Sequence, residues 1–214
     1  HDLNFKTSKT STLILIGIFI LTLLNIYGSG FSDDLNHYHG GYIVNTDNSR
    51  YIIGSNYLHY HYGYSSIWLI LQSYLNLNGS FLQDIHVVNG LIFFLIISYL
   101  LIEVINNRDK NNILYITGSI ILIFLLLKYT RLKEFGLDRP GILFYSFLIF
   151  FTAKYHHIIS NKINENKLFI FFLLITCLFI TAIKITLITC FIIPVVFILL
   201  NRSYNFFNFK LNTF

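Results

Sequence analysis

The chain has 214 residues, of which 55% are hydrophobic and only 12% are charged, with a formal net charge of +5 at pH 7. Ordinary soluble domains carry roughly twice that share of charge, so a water-soluble globular protein is excluded as the first reading. The basic excess is small and scattered over short segments, which excludes the concentrated basic patch of a nucleic-acid binder.

The charges stand between long uncharged runs. Lys9 and Asp33 enclose 23 uncharged residues, Lys110 and Lys128 enclose 17, and Lys184 and Arg202 enclose 17. A hydrocarbon core about 30 Å thick takes ~20 apolar residues as helix, with about 17–25 tolerated. The runs are continuous in Leu, Ile and Phe rather than alternating, which argues for helices and against a barrel. The first predicted span is 11–27, too long for a signal peptide and without a small-residue cleavage site. A polar segment, 28–86, follows it. Within this segment 65–77 reads as a helix with Ser65, Ser66, Gln72, Ser73 and Asn76 on one stripe, interrupted only by Leu69. Thirteen residues are short for a span, and the pattern suits a helix lying in the membrane interface, with a short tilted span as the alternative.

The second span is 87–105, then a short charged loop, 106–112, and a third span, 113–127. The loop 128–141 precedes a fourth span, 142–155. Residues 168–200 are too long for one helix, and Lys184 divides them into spans 168–183 and 185–200. The expectation is an all-α membrane protein of about six transmembrane helices, with a long external loop containing amphipathic interfacial helices. Cys177 and Cys190 lie inside apolar runs and read as small buried hydrophobes, not a disulfide framework. The chain starts at His1, contains no Met and stops just after a span, so 1–214 is expected to be the N-terminal part of a longer transmembrane domain.

Counting Lys and Arg near span ends orients the bundle. With the N-terminus in the cytoplasm, that side holds nine: Lys6, Lys9, Arg108, Lys110, Lys154, Lys162, Lys167, Arg202 and Lys210. The other side holds six: Arg50, Lys128, Arg131, Lys133, Arg139 and Lys184. The 28–86 loop is thus expected outside the cytoplasm, on a multi-pass protein of the inner (plasma) membrane.

Chemistry concentrates on that outer side. Asp33 and Asp34 follow the first span closely, where carboxylates serve as general base, metal ligand or partner to a phosphate-bound cation, or simply as a solvated pair or helix cap. Five of the eight histidines lie between residues 37 and 86, among them His37, His39, His59 and His61. Imidazole with carboxylate suits Zn or Mn, so a divalent metal is a possible cofactor, with Asp34 and His39 as its ligands. Tyr60, Tyr62 and Tyr64 fit equally well as interfacial belt residues. Asp138, in Gly136-Leu137-Asp138-Arg139-Pro140-Gly141, is expected on the same side as Asp34, or merely as a cap on the fourth helix. Arg139 and Lys184 could neutralise a lipid phosphate there, although Lys184 could also snorkel to the interface.

Several of these motifs, in this order, resemble the GT-C superfamily of polytopic glycosyltransferases. Tyr62-Gly63-Tyr64-Ser65-Ser66-Ile67-Trp68-Leu69, continuing to Leu77-Asn78-Gly79, is similar to the Pro-Pro-Leu-Tyr-Tyr-Trp-Leu…Phe-Gly stretch of the protein mannosyltransferase and aminoarabinose transferase branch. Closer is a bacterial multi-pass group sharing Asp-x-x-x-Tyr-His, here Asp34, Tyr38 and His39, then a block matched by Gly54, Asn56-Tyr57-Leu58-His59, Gly63 and Ser66. Asp138-x-Pro140 and the Ile183-Lys184-Ile185-Thr186 step also match. The Pro-Pro of the first branch is replaced by His61-Tyr62-Gly63, which leaves sugar and acceptor open.

The resemblance implies a sugar transferred from a polyprenyl-phosphate donor to an acceptor outside the cytoplasm. Asp34 would be the general base or metal holder, and Asp138 the second catalytic acid. Tyr38, His39, His59, His61, Arg139 and Lys184 would bind substrate, the cations meeting the departing lipid phosphate. The implied partners are the sugar lipid and membrane lipids, with no nucleic acid. Two rivals stand beside this reading: a surface-polysaccharide polymerase or ligase, and a transporter or assembly subunit using polar groups inside the spans.

Overall fold

The computed structural model describes residues 9–27, 40–43, 66–74, 81–108, 110–128, 137–159 and 163–200. The elements are helices α1 (Lys9–Tyr27), α2 (Ile67–Tyr74), α3 (Phe81–Asn107), α4 (Asn112–Leu127), α5 (Asp138–Ile159) and α6 (Ile163–Ile183). They are followed by a 3-10 segment, Ile185–Phe191, and α7 (Ile192–Leu200). Residues 40–43 form one helical turn, and the described residues contain no strand, an all-α arrangement.

Local chemistry sets the boundaries. Asn111 stands extended before α4, and its side-chain oxygen accepts from the N–H groups of Ile113 (3.1 Å) and Leu114 (3.2 Å), satisfying two of the donors a helix start leaves open. Pro140 falls in the first turn of α5, where a missing N–H costs no helical bond. Lys184 is extended, with φ −149° and ψ 117°, and this single residue ends α6 and starts the return.

Neighbours in sequence pack antiparallel. Phe19 of α1 meets Phe94 of α3 edge-on at 5.2 Å, while Ile26 and Thr22 close on Gly90. Gly118 of α4 lets α3 and α5 approach, since a Cβ there would lie 2.6 Å from Val104 Cγ2 and 2.9 Å from Phe150 Cε2. Phe144 of α5 meets Phe179 of α6 at 5.2 Å, and Tyr155 stacks on Phe169 at 5.1 Å. The return runs back along α6: the Cys177 thiol donates to the Cys190 carbonyl at 3.3 Å, and Phe169 meets Phe197 at 5.0 Å. Both cysteines are free and buried, as small apolar fillers. Tyr27, Val87, Lys128, Asp138 and Ile183 therefore share one end of the bundle. Lys9, Asn107, Asn112 and Lys167 share the other.

The helices correspond to the predicted spans with longer α3, α5 and α6, and with the last span divided into a 3-10 segment and α7. One helix among the described residues, through Val87–Asn107, is long and apolar enough to cross a membrane. Ser11–Tyr27, Asn112–Leu127, Lys167–Ile183 and Ile185–Leu199 are apolar but shorter.

Around an apolar core, large apolar side chains also face outward and several polar ones are buried. Leu13, Ile16, Ile20 and Leu24 of α1 face outward, whereas Ser11, Thr22 and Asn25 are buried. α2 shows the same outward apolar residues and is shorter than the expected 65–77. It is an eight-residue helix, Ile67–Tyr74, whose polar stripe (Gln72 and Ser73, with Ser66 just before it) faces inward with Trp68 and Leu69. Ile67, Leu71 and Tyr74 face outward. Of this polar side, Ser66 bonds the end of α6, while the Ser73 hydroxyl donates to the Ile70 carbonyl of its own helix at 2.8 Å.

Candidate functional site

Ser66 is the hinge on which the polar end is built. Its hydroxyl oxygen accepts from the Trp68 N–H at 3.2 Å, as an N-cap should, and its carbonyl accepts from the Leu69 and Ile70 N–H groups. The same hydroxyl donates to the Ile183 carbonyl at 2.8 Å. That carbonyl is at the carboxyl end of α6, where the break at Lys184 removes its helical partner. One side chain thus ties the start of α2 to the end of α6. Trp68, fully buried, donates its indole N–H to Asn89 Oδ1 at 2.9 Å and meets Phe144 edge-on at 6.0 Å, fixing α2 against α3 and α5 as well. Leu69 packs with Tyr42 and Ile43 of the 40–43 turn, and Leu137, just before α5, lies against this group. Ser66→Ala is expected to lower stability by about 1–2 kcal/mol, the cost of losing a cap and leaving a buried carbonyl unmet. Thermal unfolding in detergent measures this, and Ser66→Thr, which keeps the hydroxyl, should recover most of the loss.

Asp138 lies in the first turn of α5, and its carboxylate is ion-paired with the Lys184 ammonium. Gly141, one turn on, allows the approach: a Cβ there would press into Leu187 and sit 3.9 Å from Ile183 Cγ2. Of the expected phosphate-binding pair, then, Lys184 is engaged with Asp138. Arg139 lines a cleft between α3, α4 and α5 with Lys128, Phe93, Leu125, Ile142 and Leu143. Asp138 and Arg139 are consecutive positions on α5, about 100° apart, which sends the first to Lys184 at the end of α6 and the second to the α4 side. Asp34, Tyr38, His39, His59 and His61, including the proposed metal ligands, lie outside the described residues.

A second polar group, at the opposite end, has no counterpart in the sequence reading. Lys154 of α5 donates to Glu103 Oε1 of α3 at 2.6 Å and to the Tyr99 hydroxyl at 3.2 Å, while Asn107 donates to the Glu103 carbonyl at 2.8 Å. Its signal was available. Glu103 and Lys154 both fall near the ends of spans that run in the same direction. Trp68–Asn89 and Ser66–Ile183 carried no such signal, because single polar residues do not announce which partner they reach.

The described chain is thus an all-helical bundle with buried polar ties and an ion-paired end. It belongs to the family described as domain of unknown function DUF8201, whose model matches residues 2–213. No curated protein and no solved structure matches it.

Proposed function

We propose that the chain is part of a multi-pass membrane glycosyltransferase of about six spans. It would move a sugar from a polyprenyl-phosphate donor to an acceptor on the non-cytoplasmic side. The observation that carries this reading is the assembly of Asp138, Lys184, Ser66 and Trp68 at the bundle end shared by Tyr27 and Val87. The polar segment bearing Asp34 leaves α1 and re-enters α3 at that end. Outward Leu and Ile with inward Ser, Thr, Asn and Gln support lipid as the surroundings, since large exposed apolar surfaces are uncommon on soluble monomers while polar residues hold membrane helices together.

In this reading Asp34 is the general base on the acceptor hydroxyl, or the holder of a divalent metal with His39. Asp138 positions the acceptor. Lys184, held by Asp138 at rest, turns to the lipid phosphate as the sugar leaves, so that a cation meets the developing negative charge. Tyr38, His39, His59 and His61 complete the substrate pocket from the outer segment.

Two experiments test the reading. A reporter fluorescent only in the cytoplasm should be dark when fused after Leu77 and bright when fused after Arg108; the reverse pattern would invert the topology and sink the mechanism. Membranes containing the protein should transfer labelled sugar from a polyprenyl-phosphate donor, and Asp34→Asn should reduce that transfer by about 10²–10⁴-fold. Transfer that survives Asp34→Asn unchanged removes the catalytic assignment.

A further inference from the structure

We infer that the cleft of Lys128 and Arg139 is a binding site for an anionic glycerophospholipid of the surrounding bilayer. Among the described residues its lining is four apolar side chains, Phe93, Leu125, Ile142 and Leu143, under two cations. Phe93, Leu125 and Leu143 belong to the buried core, and Ile121 and Leu122 of α4 continue the apolar surface from the same packing group. Lys128 closes the carboxyl end of α4, directly after 17 uncharged residues, and Arg139 lies in the first turn of α5. The two cations therefore stand where an apolar helix surface gives way to the polar end.

The dimensions narrow the ligand. The cleft measures ≈ 270 Å³ counted out to its open mouth, but its interior has only ≈ 20 Å³ of free room, about one water's worth. A sugar or nucleotide has no place inside. A phosphate fits at the mouth, where the Arg139 fork can take two of its oxygens and the Lys128 ammonium a third as a point charge. The apolar wall below gives such a phosphate's acyl chains a surface to follow, which inorganic phosphate could not use. The Asp138 carboxylate, next in sequence, is paired with Lys184, so its charge is offset on the other side of the helix start.

This site requires only that the bundle sits in a bilayer, and it is separate from the transfer chemistry proposed above. The test is native mass spectrometry of the full chain in detergent, titrated with phosphatidylglycerol and phosphatidylcholine. One cation near an anionic headgroup is worth about a fivefold gain, so two predict roughly a 25-fold preference for phosphatidylglycerol. The preference should fall to about twofold or less in Lys128→Gln/Arg139→Gln and persist in Lys110→Gln, which removes an exposed cation at the opposite end. Circular dichroism of each variant checks that the helices remain. Equal binding of the two lipids, or a preference untouched by the double substitution, overturns the site. Full displacement by millimolar inorganic phosphate overturns its lipid character. Displacement by a polyprenyl phosphate at stoichiometric ratio would reassign the cleft to the sugar donor. Loss of sugar transfer with lipid preference intact would strike the enzyme reading alone.

Discussion

Lys154→Met is expected to destabilise the folded chain by about 3 kcal/mol, the lower end of what removing one partner of a buried pair costs. The pair is largely shielded, with side-chain exposures of 24% for Lys154 and 15% for Glu103, so solvent cannot take over the Lys154 role. Without the ammonium, Glu103 keeps its negative charge between α3 and α5 with Asn107 as its nearest remaining donor, at 3.3 Å from Oε2. The Tyr99 hydroxyl loses its donor as well, while its ring keeps the edge contacts to Phe147 at 5.5 Å and Phe150 at 6.1 Å. The loss therefore belongs to the uncompensated charge and not to packing, because Met fills most of the lysine stem's volume. Glu103→Gln/Lys154→Met removes both charges and is expected to return to within about 1 kcal/mol of the parent. Thermal unfolding in one detergent, compared across the two singles and the double, measures the coupling. A double variant no more stable than Lys154→Met would mean that the ion pair does not hold this end together.

That pair also shows where sequence reading stops. Charge spacing and hydrophobic continuity made the helices and their order legible, down to the break at Lys184, because lipid-facing helices need long apolar runs and tolerate charge only at their ends. Direction of travel followed from the same spacing, which set Glu103 and Lys154 on one side and Asp138 and Lys184 on the other. What the one-dimensional pattern could not supply was rotation about each helix axis. The stripe of Ser66, Gln72 and Ser73 was visible, but its facing inward goes with the Ser66 bond to Ile183, more than a hundred residues away in sequence, and with the bond of neighbouring Trp68 to Asn89. Arg139 and Asp138 are adjacent in sequence, yet one lines the α4 side of α5 and the other meets the end of α6. For the candidate site, residue types pointed to acid and cation at one end, and the actual pairing needed the packing made possible at Gly141.

Under the transferase reading proposed above, Asp138→Asn is expected to lower sugar transfer by about 10²-fold while leaving stability almost unchanged. The contrast follows from exposure. Asp138 is 57% exposed and Lys184 33%, so water competes for both charges and the pair contributes only a few tenths of a kcal/mol after screening. Packing at this end rests instead on Ser66, Trp68 and the apolar contacts of Leu69, none of which the substitution touches. The charge exchange Asp138→Lys/Lys184→Asp separates the two roles that the pair could have. It restores an ion pair between α5 and the end of α6 but puts the carboxylate on the wrong element. If Asp138 acts on substrate, the exchanged protein should unfold at the parent's temperature and remain inactive. Recovery of transfer in the exchange variant would make the pair a structural latch and Asp138 no part of the chemistry. The outcome is read by running unfolding and transfer assays on the same preparations, since a site at an exposed helix start can lose its function without the fold registering the change.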